Sequence, residues 1–330
     1  MPLLSDLSAW VLTDGKAGDE SQCLGLADAL GMAPERRRVA PRAPFAWAMP
    51  WGPIDPREGA RRAGSPIAPP FPDLLIASGR RAVPYMRAVK RLSKGRTFTV
   101  FLKDPRTGPG AADLIWVPEH DRLRGPNVIA TLTPPHRVSQ ARLAAARARP
   151  DGRLAGLLPP RIAVLIGGAS RHHRFTQDDA ARLLADLDRL SQAGGSLMVT
   201  ASRRTPEGLR RELAALVTKR GGFFWDGSGE NPYVALLALA DAVVVTADSY
   251  NMVGEAAATG APILVFEPSG GHPKLTAFLE GLRAYGAVKP LAGRLEAFSY
   301  PPLDSTPVIA EAVQRGLVRH RRALGLPEAG

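Results

Sequence analysis

The 330-residue sequence contains a single cysteine, Cys23, only six histidines and just 6% aromatic residues. One thiol cannot close an intramolecular disulfide or supply a cysteine metal cluster, so the fold must rest on buried apolar surface, and the thiol count fits a reducing compartment. No window reaches the roughly 18 consecutive apolar residues of a membrane span. The opening stretch, MPLLSDLSAWVLTDG, lacks the basic start and apolar core of a secretory leader. A cytoplasmic protein is expected, with a peripheral position at the inner face of the membrane as its variant. No short-period repeat or low-complexity tail is present.

Acidic residues are in deficit. Against 43 Lys and Arg stand 31 Asp and Glu, a net charge of +12. Residues 1–155 carry 24 basic and 14 acidic side chains, and the remainder carry 19 and 17, so the surplus belongs to the first half. A solvated, arginine-heavy surface accounts for such a surplus; an anionic partner is the sharper alternative. Nucleic acid is not expected as that partner, because no recognition motif accompanies the charge.

What is present is apolar content of 45%, enough for two cores in a chain of this length. Short β-branched or apolar runs predict strands at 9–13, 37–39, 74–77, 98–102, 114–117 and 127–131, with helices at 20–30, 81–92 and 137–149. Residues 40–72 are rich in Pro, Gly and Arg without a period, which predicts a long functional or mobile loop. After a Pro- and Gly-bearing break at 150–160, strands at 162–166, 197–201, 223–226, 242–246 and 263–266 alternate with helices at 177–192, 206–219, 232–240, 250–259 and 273–284. Thr176 followed by Asp179 marks a capping box. A basic helix over 309–324 ends the series. The expected fold is α/β: two Rossmann-like doubly wound parallel-sheet domains facing a central cleft. They are an acceptor-side domain over 1–150 and a donor domain over 160–300, with 301–330 a basic C-terminal helix packing back on the first.

Open parallel sheets bind ligands at the carboxyl ends of their strands, so the loops there are the candidates. The most informative run is 241–268, DAVVVTADSYNMVGEAAATGAPILVFEP, a strand, helix and strand. Asp248 or Ser249 can cap the helix, and Asn251 and Glu255, four residues apart, share one helical face. A carboxylate there can accept both hydroxyls of a ribose; the plain alternative is a solvent-facing Glu beside a capping Asp. Gly167, Gly168, Ala169 and Ser170 offer amides and a hydroxyl suited to a phosphate, although tight turns use the same residues. Arg203 and Arg204 suit a diphosphate, although loop arginines are common. An acid at a helix start repels a phosphate, so Asp248 argues for giving the phosphates to Ser170, Arg203 and Arg204 and the sugar hydroxyls to Glu255. Asn231 can contact a base or ribose, or simply start the helix after it. Adjacent His172 and His173 rarely aim at one ion, so no metal site is expected there.

In the first half, Asp14, Lys16, Asp19 and Glu20 flank a glycine loop after the first strand, where a carboxylate can take a proton from a hydroxyl. An acidic residue favoured by the helix dipole is the plainer reading. His120 and Asp121 adjoin at another strand end, and Arg80 lies in a third loop. Trp47 and Trp51 sit among arginines in the 40–72 segment, a mix that fits a membrane interface or a lipid-linked acceptor as well as a loop packed on its own domain.

Together, TDGKAGDESQCLGLADAL, ASGRRAVP, KDPR, VPEHDRLRGPNV, LIGGASRHHRF, TASRRTP, WDGSGENPY and TADSYNMVGEAAATGAPILVF resemble, in that order, the mitochondrial fission ELM family of plants and its bacterial relatives. That family is regarded as glycosyltransferases of the two-Rossmann GT-B type. More distantly, the 250–259 helix and the GGAS loop look like the donor-site helix and diphosphate loop of the peptidoglycan N-acetylglucosaminyltransferase. The resemblance implies a nucleotide sugar held by Gly168, Ser170, Arg203, Arg204, Asn231, Ser249, Asn251 and Glu255. The residue reading gives Glu20, His120 and Asp121 as catalytic candidates and Lys16, Arg80, Trp47 and Trp51 as acceptor or membrane contacts, with the resemblance implying an acceptor in the first domain. That enzyme carries a His in its glycine loop where this chain has Asp19 and Glu20. Plant members recruit a dynamin-related protein to mitochondria, a role with no support in these residues.

The expected function is transfer of a sugar from a nucleotide-sugar donor to an acceptor hydroxyl, anionic, lipid-linked or part of an envelope glycan. No metal and no cofactor beyond the donor are expected, the diphosphate charge being met by arginines and amides. The alternatives are a non-catalytic nucleotide-sugar-binding scaffold of the mitochondrial-fission kind and a nucleotide-sugar epimerase.

Overall fold

The computed structural model describes residues 4–327, which form two compact units, one of residues up to Arg137 together with those from Ser305, the other Val138–Asp304. In the first unit, β1 (Ala9–Thr13), α1 (Ala17–Ala29), β2 (Glu35–Arg38), α2 (Phe45–Ala48), β3 (Leu74–Ser78), α3 (Ala82–Leu92), β4 (Phe98–Leu102), β5 (Leu114–Pro118) and β6 (Val128–Thr131) follow in order. All six strands are parallel in the order β2-β1-β3-β4-β5-β6. β1, β3, β4 and β5 are buried throughout, as their unbroken apolar runs require when both faces are covered. The chain leaves β1 toward β2 on one side and resumes at β3 on the other. That reversal is the topological switch point of the sheet, where ligands bind in such folds.

The 40–72 segment is not the mobile loop its composition suggests. Arg42 grips Asp55 through Nε and Nη2 at 3.0 and 3.1 Å, and this charge-assisted bond holds the Asp55 carboxyl well below the usual carboxylate range. The Tyr85 hydroxyl donates to Glu58 and accepts from the Asp55 amide. Arg37 reaches the Ala68 carbonyl at 2.8 Å and lies over the Trp10 ring. Met49 and Ile67 are fully buried in the core beneath. These contacts join residues far apart in sequence, which is why composition alone misreads the segment.

The second unit contains α4 (Gln140–Ala148), β7 (Arg161–Ile166), α5 (Gln177–Gln192), β8 (Ser196–Ala201), α6 (Glu207–Lys219), β9 (Phe223–Trp225), α7 (Tyr233–Leu239), β10 (Ala242–Thr246), α8 (Tyr250–Ala257), β11 (Ile263–Phe266), α9 (Pro273–Tyr285) and β12 (Val288–Pro290). Its six strands are parallel in the order β12-β11-β10-β7-β8-β9, with the switch point between β7 and β10. The Thr176 and Asp179 capping box forms at the start of α5. β12, three residues including Lys289 and Pro290, is too short and polar to show in the sequence as a strand. α4 sits here rather than in the 1–150 domain, because Leu143 is fully buried and Arg147 donates to the Ala238 carbonyl at the end of α7.

The chain then returns to the first unit in α10 (Thr306–Ala323). Ser305 and Thr133 share a hydroxyl bond of 2.7 Å, and Thr306 accepts from the His136 amide. A Cβ at Gly316 would meet the Phe98 ring at 2.7 Å, so the missing side chain lets α10 approach the start of β4. Cys23, wholly buried in α1, has its thiol pushed well above its ordinary value by burial and is chemically inert.

Candidate functional site

In the second unit the loops after β7, β8 and β10 meet at the switch point, and their own atoms consume most of their hydrogen-bonding capacity. The Gly167 amide donates to Thr246 Oγ1 at 2.8 Å and the Gly168 amide to Asp248 Oδ2 at 2.8 Å. The Ala169 amide goes to the Arg204 carbonyl and the Ser170 amide to the His173 carbonyl. The Ser170 hydroxyl accepts from the amides of His172 and His173. The phosphate cradle expected at Gly167 to Ser170 is therefore already filled: a phosphate needs free amides, and these four are spent.

The group filling it is the Asp248 carboxylate, whose side chain is entirely buried. Besides the Gly168 amide it accepts from Thr246 Oγ1 at 2.7 Å and pairs with Arg204 Nη2 at 3.1 Å. Arg204 also donates to the carbonyls of Gly168 and Ala169 at 3.0 and 3.1 Å. A Cβ would come within 2.2 Å of Asp248 Oδ2 at Gly167, and within 2.1 Å of the Arg204 backbone at Gly168, so this approach demands glycine at both positions. Two expectations change. Arg204 is a structural partner rather than a free phosphate ligand, and Asp248 turns inward with its charge compensated, so it no longer bars an anion from the start of α8. Ser249, the residue before α8, makes no capping bond with its side chain. Arg203 is exposed, with no hydrogen bond or ion pair to another side chain among the described residues.

Glu255 lies on the second turn of α8 and is only 9% exposed. The Tyr233 hydroxyl, from the first turn of α7, donates to its Oε2 at 2.5 Å. Burial pushes the Glu255 carboxyl up to about 7, against the lowering effect of the Tyr233 bond. Burial and the neighbouring carboxylate also push the Tyr233 phenol well above its ordinary value. Tyr233 is a partner the sequence did not single out; it stands in the WDGSGENPY turn, but 22 residues from Glu255. Asn251 is half-buried on the same helix. Asn231 spends its side-chain carbonyl on the Tyr233 amide at 3.0 Å, an Asx turn that leads into α7.

In the first unit the loops after β1, β3 and β4 bring together Asp14, Lys16, Asp19, Gly79 and Lys103. Lys16 pairs with Asp14 Oδ2 at 2.8 Å and Lys103 pairs with Asp19. Lys103 adopts φ of 81°, a strained conformation for a residue with a side chain. Gly79 has φ of 92°, and a Cβ on it would lie 3.5 Å from both Asp14 Oδ1 and Asp19 Oδ2. Asp14 Oδ1 is buried without a hydrogen-bond partner. Glu20 instead pairs with Arg36 at 3.3 Å. His120 and Asp121 follow β5, the aspartate buried and the histidine half-exposed, in a turn that Arg124 ties to the Glu119 carbonyl at 2.9 Å. Arg80 is exposed and reaches the Met49 carbonyl at 3.4 Å.

Among the described residues, no group of three or more His, Cys, Asp or Glu is placed to hold a metal ion. The Asp-x-Asp spelling at Asp186 and Asp188 lies on α5, where Asp186 pairs with Arg189 and Asp188 with Arg220. No helix among the described residues is long and apolar enough to cross a membrane.

Comparison with known proteins shows the family and the fold. The profile of the family described as mitochondrial fission ELM1 matches residues 17–317. The mitochondrial fission protein ELM1 of Arabidopsis thaliana is 29% identical over 273 residues, covering 74% of this chain and 64% of that protein. A protein of Rickettsia prowazekii is 30% identical over 164 residues, covering 47% of this chain and 46% of its own. The chain thus spans less than two thirds of the length of either relative. Among solved structures, the UDP-GlcNAc 2-epimerase of Neisseria meningitidis bound to UDP-GlcNAc has a TM-score of 0.50 at 12% identity, covering 87% of this chain and 88% of that one. At that identity the likeness is one of fold, two Rossmann-like α/β units of the GT-B type.

Proposed function

The chain belongs to the mitochondrial fission ELM1 family, and on that premise we propose that it transfers a sugar from a nucleotide-sugar donor to an acceptor hydroxyl. The observation that carries the reading is the buried Glu255 carboxyl at a switch point, held by Tyr233 on one oxygen. Such a group can accept ribose hydroxyls, and a site built to pair hydroxyls discriminates strongly against analogues that lack them. The diphosphate is assigned to the start of α8 beside Ser249, where the helix dipole favours an anion once Asp248 is neutralised internally by Arg204. Arg203 supplies the mobile positive charge.

Within the first unit, all three carboxylates of the loop are engaged by a cation, Asp14 by Lys16, Asp19 by Lys103 and Glu20 by Arg36; Asp14 is the base of choice because its second oxygen, Oδ1, is buried with no hydrogen-bond partner among the described residues. In the proposed step the acceptor O–H proton passes to a carboxylate base and the hydroxyl oxygen bonds to the anomeric carbon. The bond from that carbon to the diphosphate oxygen breaks, and the electron pair leaves on the diphosphate. A cytoplasmic protein, peripheral at a membrane and using an anionic or lipid-linked acceptor, belongs to the same reading.

Calorimetry with uridine, guanosine and adenosine diphosphates and their sugar conjugates tests the donor. Binding of one ribonucleotide series, weakened at least about tenfold in the 2′-deoxy analogue, is expected; binding of none removes the transferase reading. The second reading, a non-catalytic scaffold that still binds the nucleotide sugar, is favoured by the filled Gly167 to Ser170 cradle. Donor binding without turnover over a panel of acceptors, with Asp14→Asn leaving every property unchanged, would select it.

A further inference from the structure

We infer that the face of the first unit formed by Trp47, Trp51 and α3 docks on an anionic phospholipid surface, which deepens the peripheral placement proposed above by naming the surface that makes it. Trp10 and Trp116 of the same unit are 3% and 0% exposed, whereas Trp47 and Trp51 are 76% and 69% exposed. Two indoles held in water need an explanation, because an aromatic ring of that size is normally packed.

They are presented by a rigid support. Ala46 and Met49, before and after Trp47, are buried, and the Trp51 and Gly52 amides both donate to the Ala48 carbonyl, at 3.1 and 2.8 Å. A Cβ at Gly52 would meet the Ala48 side chain at 2.5 Å, so only glycine permits this tight turn, which leaves Trp51 outside. Beside the pair runs a groove of about 200 Å³ lined by Pro50, Pro53, Ile54 and Pro84, with Arg87 and Arg91 of α3 on its wall. Both arginines are exposed and have no carboxylate partner among the described residues.

Interfacial tryptophans beside unpaired guanidinium groups match the boundary of an anionic bilayer: indole rings settle at headgroup depth, and arginines pair with lipid phosphates. The charge selects this occupant over an apolar protein face, against which two unpaired arginines would be desolvated without compensation. The basic surplus of residues 1–155 strengthens the same attraction at longer range.

The test is co-sedimentation of the full chain with vesicles of phosphatidylcholine alone and of phosphatidylcholine containing phosphatidylglycerol. Binding to the anionic vesicles only, falling as salt is raised, is expected. Arg87→Gln with Arg91→Gln should weaken it about twenty-fivefold, taking about fivefold per surface arginine. Trp47→Ala with Trp51→Ala should weaken it at least about tenfold while leaving its salt dependence in place. All four side chains are solvent-facing, so thermal unfolding should be unchanged. Absence of binding to anionic vesicles, or equal binding by both double variants, overturns the inference. So does self-association of the wild type that the tryptophan substitutions abolish, which would make the face a contact between copies. Nucleotide calorimetry on the same variants separates this failure from a failure of the transferase reading, since Glu255 and Arg203 are untouched.

Discussion

Glu255→Gln isolates the charge of one buried carboxyl and leaves its shape. In the folded protein that carboxyl titrates at about 7, against an ordinary value of 4.5. Between these two pH values the folded state holds a proton that the unfolded chain has released, so stability falls as pH rises through this window. The difference of about 2.5 units corresponds to about 3 kcal/mol at most, present below the window and absent above it. Glutamine is neutral at every pH and keeps an acceptor for Tyr233. At pH 5 the variant should therefore unfold within a degree or two of the wild type. At pH 8 it should be more stable, by up to about 3 kcal/mol, or on the order of 5–10 °C in Tm for a unit of this size. Nucleotide binding should move the other way: wild-type affinity should rise as pH increases through about 7, when the carboxylate forms, and the variant should bind weakly and without that dependence. Thermal unfolding at the two pH values, paired with calorimetry, reads both effects. An equal Tm shift at pH 5 and pH 8 would show that burial does not control this proton and would refute the reasoning.

Other substitutions address the rest of the site. Arg203→Ala should leave denaturant unfolding within about 0.5 kcal/mol, since the side chain is exposed and unpaired, yet weaken nucleoside diphosphate binding by about tenfold, the scale of one charge-assisted contact. Asp248→Ala should cost about 3–5 kcal/mol in urea unfolding, because it strands Arg204, the Gly168 amide and Thr246 beneath the loops; a loss below 1 kcal/mol would show that the loops do not depend on it.

The alternation of apolar runs and amphipathic segments made most of the fold legible. The continuous runs Ala9–Thr13, Leu74–Ser78 and Ala242–Thr246 can only be buried strands of a parallel sheet, and the Thr176 capping box is a purely local signal. Where the reading failed, the deciding partner lay far along the chain. Proline and glycine in 40–72 suggested mobility, but Asp55, Glu58 and Tyr85 pin the segment. The amides of Gly167 and Gly168 looked available because the group that takes the second of them, Asp248, stands 80 residues later. Asn231 was open between a ligand and a helix start, and its bond to the Tyr233 amide, an Asx turn ahead of α7, shows the second role.

The sequence by itself determined that this protein has two parallel α/β units, that their glycine- and arginine-bearing loops fall at strand ends, and that Glu255 shares a helical face with Asn251. Those are consequences of periodicity and local backbone preference, which act over a few residues. Only the tertiary structure decided which polar groups are already spent. A charge such as that of Asp248 or Arg204 is free or compensated according to what the fold brings into hydrogen-bond reach, and the 44 residues separating that pair carry no local trace of it.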